Sequence, residues 1–123
     1  MILVDTSIWI DHLRGSDQHL FALLAEGRVV MHPHVLGEVA LGNLKNRTAV
    51  LGAMSDLPQA VAATDDEVLH FIEAQGLFGL GIGYMDAHLL AAVMLAPGTR
   101  LWTRDRRLST ASARLGLAYA LAH

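Results

Sequence analysis

Apolar residues occur in this chain at two spacings, continuous short runs and helical repeats, and the two alternate. Ile2-Leu3-Val4 is an unbroken aliphatic run of the kind found in a buried strand of a parallel sheet. Asp5 follows. Thr6 and Ser7 then suit the cap of a helix holding Ile8, Trp9, Asp11, His12 and Leu13. Asp17 can cap a second helix over 18–26, with Leu20, Phe21, Leu23 and Leu24 apolar and Gly27 past its end. Residues 28–32 read as a second strand, and Pro33 opens a helix reaching about Leu41. A further helix is predicted over 45–54 and a weak third strand over 59–63. Thr64-Asp65-Asp66-Glu67 is a helix start, with hydroxyl and acids ahead of Val68, Leu69 and Ile72. Residues 76–83 carry four glycines and predict a loop. The most apolar helix covers 84–95, and Pro97-Gly98 forms a turn. Residues 100–103 make a fourth strand, 105–115 the last helix, and 117–121 a fifth, edge strand.

Strands alternating with helices predict an α/β domain with a mainly parallel four- to five-stranded sheet, covered on both faces. At 123 residues the chain reads as one domain over 1–123 and buries a sizeable core unaided. It has no cysteine, which removes disulfides, thiolate metal sites and cysteine nucleophiles. With no signal-like or membrane-spanning run, the expectation is a cytoplasmic protein without membrane contact. A hydrophobic content of 53% is high for so short a chain. It points either to a partner or homodimer face or to an alanine-heavy core. The net charge of −3 argues against nucleic-acid binding by bulk charge alone. The positive charges gather late, at Arg100, Arg104, Arg106, Arg107 and Arg114.

Four acids stand out by context. Asp5 ends the first strand, and Asp105 follows the fourth. Glu38 is the only charge in the apolar helix after the second strand, and Asp86 lies near the start of the most apolar helix. Each one alone also fits a helix cap or a solvent-facing stripe. Together they converge. Strand ends at the carboxyl edge of an open α/β sheet border the usual ligand crevice. A helix running back against the strands brings its own start, and so Asp86, to that edge. Four carboxylates in one crevice call for a cation among them. All-oxygen ligation selects Mg²⁺ or Mn²⁺, and such ions serve phosphodiester and phosphoryl chemistry.

Val4-Asp5-Thr6-Ser7, Glu38, Gly81-Ile82-Gly83 with Met85-Asp86-Ala87-His88, and Thr103-Arg104-Asp105-Arg106 together resemble a PIN domain. More closely, they resemble the VapC-type toxins of type II toxin–antitoxin pairs, along the whole chain. The resemblance implies a three-layer α/β/α fold and an endoribonuclease that uses Mg²⁺ or Mn²⁺. It also implies an RNA substrate, a cognate antitoxin that blocks the site, and often a homodimer. By position, Asp5 and Asp86 are similar to the metal ligands, Asp105 to the third Asp, and Glu38 to the acid that orients the nucleophile. Thr103 matches the hydroxyl residue two before the last Asp.

Arg104, Arg106 and Arg107 are candidates for RNA phosphates, or else form a solvated helix face. Trp9, Trp102 and Tyr84 offer stacking surfaces, although core or dimer packing is their simpler use. The seven histidines form no HExxH pattern. His88, two residues from Asp86, does not share its helix face, so the histidines read as structural. The alternatives are a receiver-like Mg²⁺-binding signalling module and a catalytically inactive PIN fold that only binds a partner. The receiver needs an Asp ending its third strand and a late Lys, whereas Asp56 follows a helix and the one lysine is Lys45. A haloacid-dehalogenase-type phosphatase would need Asp-x-Asp where Asp5-Thr6-Ser7 stands.

Overall fold

A computed structural model describes residues 1–121. Its centre is β1 (Ile2–Val4), flanked on one side by β2 (Val29–Val30) and on the other by β3 (Arg100–Trp102), all parallel. All three side chains of β1 are buried. Since alternate residues face opposite sides of a sheet, both faces are covered.

The predicted third and fifth strands shrink to single parallel bridges, Met31 with Gln59 and Leu101 with Ala118. They still extend the sheet. Met31 N–H donates to Pro58 O and its carbonyl accepts from Ala60 N–H, both at 2.8 Å. Leu101 does the same with Leu117 O and Tyr119 N–H, both at 2.8 Å. The platform thus has three laddered strands and an edge segment on each side, and short edges limit strand addition by other chains.

Among the described residues seven helices accompany these strands: α1 (Thr6–Gly15), α2 (Gln18–Ala25), α3 (Pro33–Ala40), α4 (Arg47–Ser55), α5 (Asp65–Gln75), α6 (Tyr84–Leu95) and α7 (Arg106–Arg114). The α4 start lies two residues later than the sequence predicts. Asn46 adopts φ 52° and ψ 44°, a left-handed conformation that cannot continue a right-handed helix. The α5 start forms the predicted capping box between Thr64 and Glu67. Every residue of α6 from Ala87 to Val93 is buried, so this helix is the main contribution of the helical layers to the core. No helix among the described residues is long and apolar enough to cross a membrane.

Two caps fix the carboxyl edge of the sheet. Asp5 itself, and not Thr6 or Ser7, is the N-cap of α1, accepting from Thr6 N–H at 2.8 Å. Asp105 caps α7 through Leu108 N–H at 2.9 Å. Both carboxylates therefore sit where a strand hands the chain to a helix.

Candidate active site

Asp5 is the hub of the edge. It is only 7% exposed, and a carboxylate this deep needs donors around it. Its Oδ1 accepts from Thr6 N–H. Its Oδ2 accepts from Ser7 Oγ–H at 3.0 Å and from Thr103 Oγ1–H at 2.7 Å. Of four lone-pair positions on an ionised carboxylate, these donors leave one for a cation. Thr103 ties two acids together, because its hydroxyl also accepts from Asp105 N–H at 3.0 Å. On the other side, the Thr6 hydroxyl donates to Glu38 Oε1 across a longer 3.3 Å. Glu38 thus stands on α3 beside the start of α1.

Asp86 closes the group electrostatically. Its Oδ2 accepts from Gly83 N–H at 2.9 Å, a backbone cap of α6. Burial raises its pKa above the ordinary carboxylate range. The Gly83 bond opposes the rise, and the charges of Asp5 and Asp105 add to it. Like charges raise a carboxyl pKa only when they are near, so the three aspartates share one field. All four predicted acids lie at this edge: Asp5 and Glu38 bridged by Thr6, Asp5 and Asp105 by Thr103, and Asp86 coupled to both aspartates through charge.

The donors are all oxygens, which fits a hard divalent cation. Among the described residues, no group of three or more His, Asp or Glu side chains is arranged to hold an ion by itself. A cation here would also relieve the repulsion that burdens Asp86.

The model of the PIN domain family matches residues 2–113. The chain belongs to the PIN-domain family. Within it, the chain is similar to proteins named Ribonuclease VapC32 from two strains of Mycobacterium tuberculosis, CDC 1551 / Oshkosh and ATCC 25618 / H37Rv. Each is 48% identical over 120 residues, which cover 98% of this chain and 97% of the relative. The VapC-type resemblance carried by the motifs therefore holds along nearly the whole chain.

Other candidates at this PIN-domain edge sort by their partners. Trp9 and Trp102 are buried in the core and offer no stacking surface. Tyr84 is half-exposed and donates its hydroxyl to Asp65 at 2.7 Å. Arg104 pairs with Asp11 at 2.7 Å and with Asp17. It thereby joins α1 to the cap of α2, which takes it away from the phosphate role its position suggested. The hydroxyls of Thr6, Ser7 and Thr103 matter more to the carboxylates than any arginine. Their signal in the sequence is one shared feature, each standing within two residues of a strand-end aspartate.

Three histidines gather beside the sheet instead of joining the acids. The His34 ring lies 4.5 Å from that of His88 and 5.0 Å from that of His32, centroid to centroid. His88 bonds through Nε2 to Asp65 Oδ1 at 2.9 Å, so it does not turn towards the ligand edge with Asp86. His32 caps α3, its Nδ1 accepting from His34 N–H at 3.0 Å. The proton of a neutral His32 is then on Nε2, which leaves no lone pair for a metal. Burial, followed by the nearby His34 and His88, pushes the His32 pKa down to about 4.

The pH dependence follows from that depressed value. The unfolded chain takes up this proton near the ordinary 6.5, and the folded chain only near 4. The associated stability is complete above pH 6.5 and is lost as pH falls towards 4. The loss amounts to about 3 kcal/mol. Urea midpoints should fall across that window. His32→Asn, which keeps an acceptor for His34 N–H, should flatten the fall. An unchanged profile in the variant would remove His32 as its source.

Proposed function

We propose that this chain is a divalent-cation-dependent endoribonuclease, the toxin of a toxin–antitoxin pair. It forms a single domain over 1–123, of which residues 122–123 lie outside the described ones. The observation that carries the reading is the convergence of Asp5, Glu38, Asp86 and Asp105 on the carboxyl edge of the sheet in a chain 48% identical to proteins named ribonucleases.

In this reading Asp5 and Asp86 hold the cation, Mg²⁺ or Mn²⁺. When bound, the ion lowers the pKa of a water and offsets charge on the phosphate. The protein's own groups do the rest. Thr103 and Ser7 fill Asp5 Oδ2 and hold the carboxylate in one rotamer, so the position left for the cation is on Oδ1. Glu38 is exposed on α3 and is placed to take the proton of the attacking water, with Thr6 fixing its orientation. Asp105, with Oδ1 committed to the α7 cap, keeps Oδ2 as the oxygen available to order water at that edge.

An acidic crevice also receives cationic side chains, which suits an antitoxin that inserts an Arg or Lys. Exposed Phe21, Leu41, Leu69 and Phe78 supply apolar surface for a protein partner or a second copy, and we take the toxin to be a cytoplasmic homodimer. Expression followed by sequencing of RNA 5′ ends tests the activity. New ends at discrete positions are expected, and they should disappear when the antitoxin is co-expressed. An RNA profile identical to that of the uninduced cell would contradict the proposal.

A further inference from the structure

Arg106 and Arg107 have no carboxylate partner among the described residues, in contrast to Arg104, which has two. Both are exposed. With Leu80, Thr110, Ala111 and Arg114 they line a cavity of about 210 Å³ along α7. Three arginine side chains border one concavity in a chain of net charge −3, which concentrates positive charge there.

The cavity is built, and not a chance cluster of side chains. Arg107 lies directly over Gly81, whose φ is +76°. A Cβ at that position would come 2.7 Å from Arg107 Nη1 and 2.9 Å from its Cδ. The glycine loop therefore takes a shape that leaves room for this arginine. Arg114 is anchored from the other end, donating to Gln75 O at 2.7 Å and Gly76 O at 3.3 Å. Arg106 and Arg107 are left to act as free donors.

Its two walls are continuous with the acid site. Arg106 directly follows Asp105, and Leu80 and Gly81 lead into Gly83 and Asp86. From Arg106 to Arg114 the helix rises about 12 Å at ~1.5 Å per residue. The cavity thus lies beside the carboxylates but extends away from them. We infer that the Arg106–Arg107 cavity binds a phosphodiester group of the RNA substrate next to the one being cleaved. Guanidinium groups meet phosphate oxygens in a planar, two-point geometry. Such contacts fix register on the backbone without reading bases.

This inference rests on the ribonuclease reading, so the test separates the two. The full chain carrying Asp86→Asn is titrated with a short mixed-sequence single-stranded RNA at several salt concentrations, alone and with Arg106→Gln, Arg107→Gln or both. Each arginine change should weaken binding about tenfold. The double change should also reduce the slope of log K against log salt by about 0.7, the single-strand value for one phosphate contact. Arg104→Gln should leave the slope unchanged. In the otherwise unmodified chain, the double variant should raise KM with kcat little altered. Unaltered salt slopes and KM, in a parent chain that cleaves RNA, would overturn the cavity assignment and leave the ribonuclease reading standing. Loss of affinity for an antitoxin with RNA slopes unchanged would overturn it too, and would assign the arginines to the protein partner. A parent chain that binds RNA with the expected slopes but cuts nothing would defeat the ribonuclease reading and, with it, the place of the cavity beside a scissile group, leaving only its contact with an RNA phosphate.

Discussion

Replacing Asp86 by Asn should abolish RNA cleavage while leaving thermal stability at neutral pH equal to or above that of the parent chain. The two halves of this result have separate causes. Asp86 has one bonded role, accepting from Gly83 N–H, and an amide oxygen can fill it. Its charge is unfavourable in the folded chain, because burial and the fields of Asp5 and Asp105 raise its pKa. An acid raised in the folded state contributes stability below its unfolded pKa and loses it as pH rises through the folded value. At neutral pH the parent chain therefore carries a repulsion that the amide removes. Cleavage should fall by more than the roughly 10–100-fold that changes beyond the direct ligands cost, because a proposed cation ligand is lost outright. A melting curve and a cleavage assay on the same sample check both halves. Retained cleavage would remove Asp86 from the site, and a marked loss of stability would show that its charge is paired and not repelled.

Asp5→Ala should behave differently, losing cleavage and destabilising the fold by about 2–3 kcal/mol. Asp5 is buried and accepts from Thr6 N–H, Ser7 Oγ–H and Thr103 Oγ1–H. Alanine removes the cap of α1 and leaves those donors facing a cavity. Against a total stability of roughly 5–15 kcal/mol for a domain this size, that loss is readily measured by urea unfolding. Asp5→Asn, which keeps a capping oxygen and can reverse its bond with the Thr103 hydroxyl, should recover most of the stability and none of the activity. Full activity in Asp5→Asn would confine Asp5 to the structural role that a helix cap suggests.

The contrast between these two aspartates marks how far the sequence alone could be read. Their placement at one edge was legible, because Ile2–Val4 and Arg100–Trp102 are short aliphatic or aromatic strands whose ends are fixed by the next helix start. The two outer strands were legible only as segments. Residues 59–63 and 117–121 lie beside the sheet, but each contributes a single bridge, and alternation of apolar residues does not report pairing length. The double duty of Asp5 was not legible, since it depends on Thr103, ninety-eight positions away. Arg104 was equally opaque. Its partners Asp11 and Asp17 meet it only because α1 and the α2 cap fold back against the end of β3. The histidines show the reverse case. The sequence offers no ligand motif among them, while the packing of His32, His34 and His88 into one cluster required the tertiary structure.

In the proposed reaction the four acids act on RNA through a divalent cation. Cleavage of a single-stranded RNA by the purified chain, stripped with EDTA and then titrated with Mg²⁺ or Mn²⁺, tests it most directly. The stripped protein should be inactive, and activity should return saturably with added metal in the parent chain but not in Asp86→Asn. Cleavage by the stripped protein at the metal-restored rate would contradict the account.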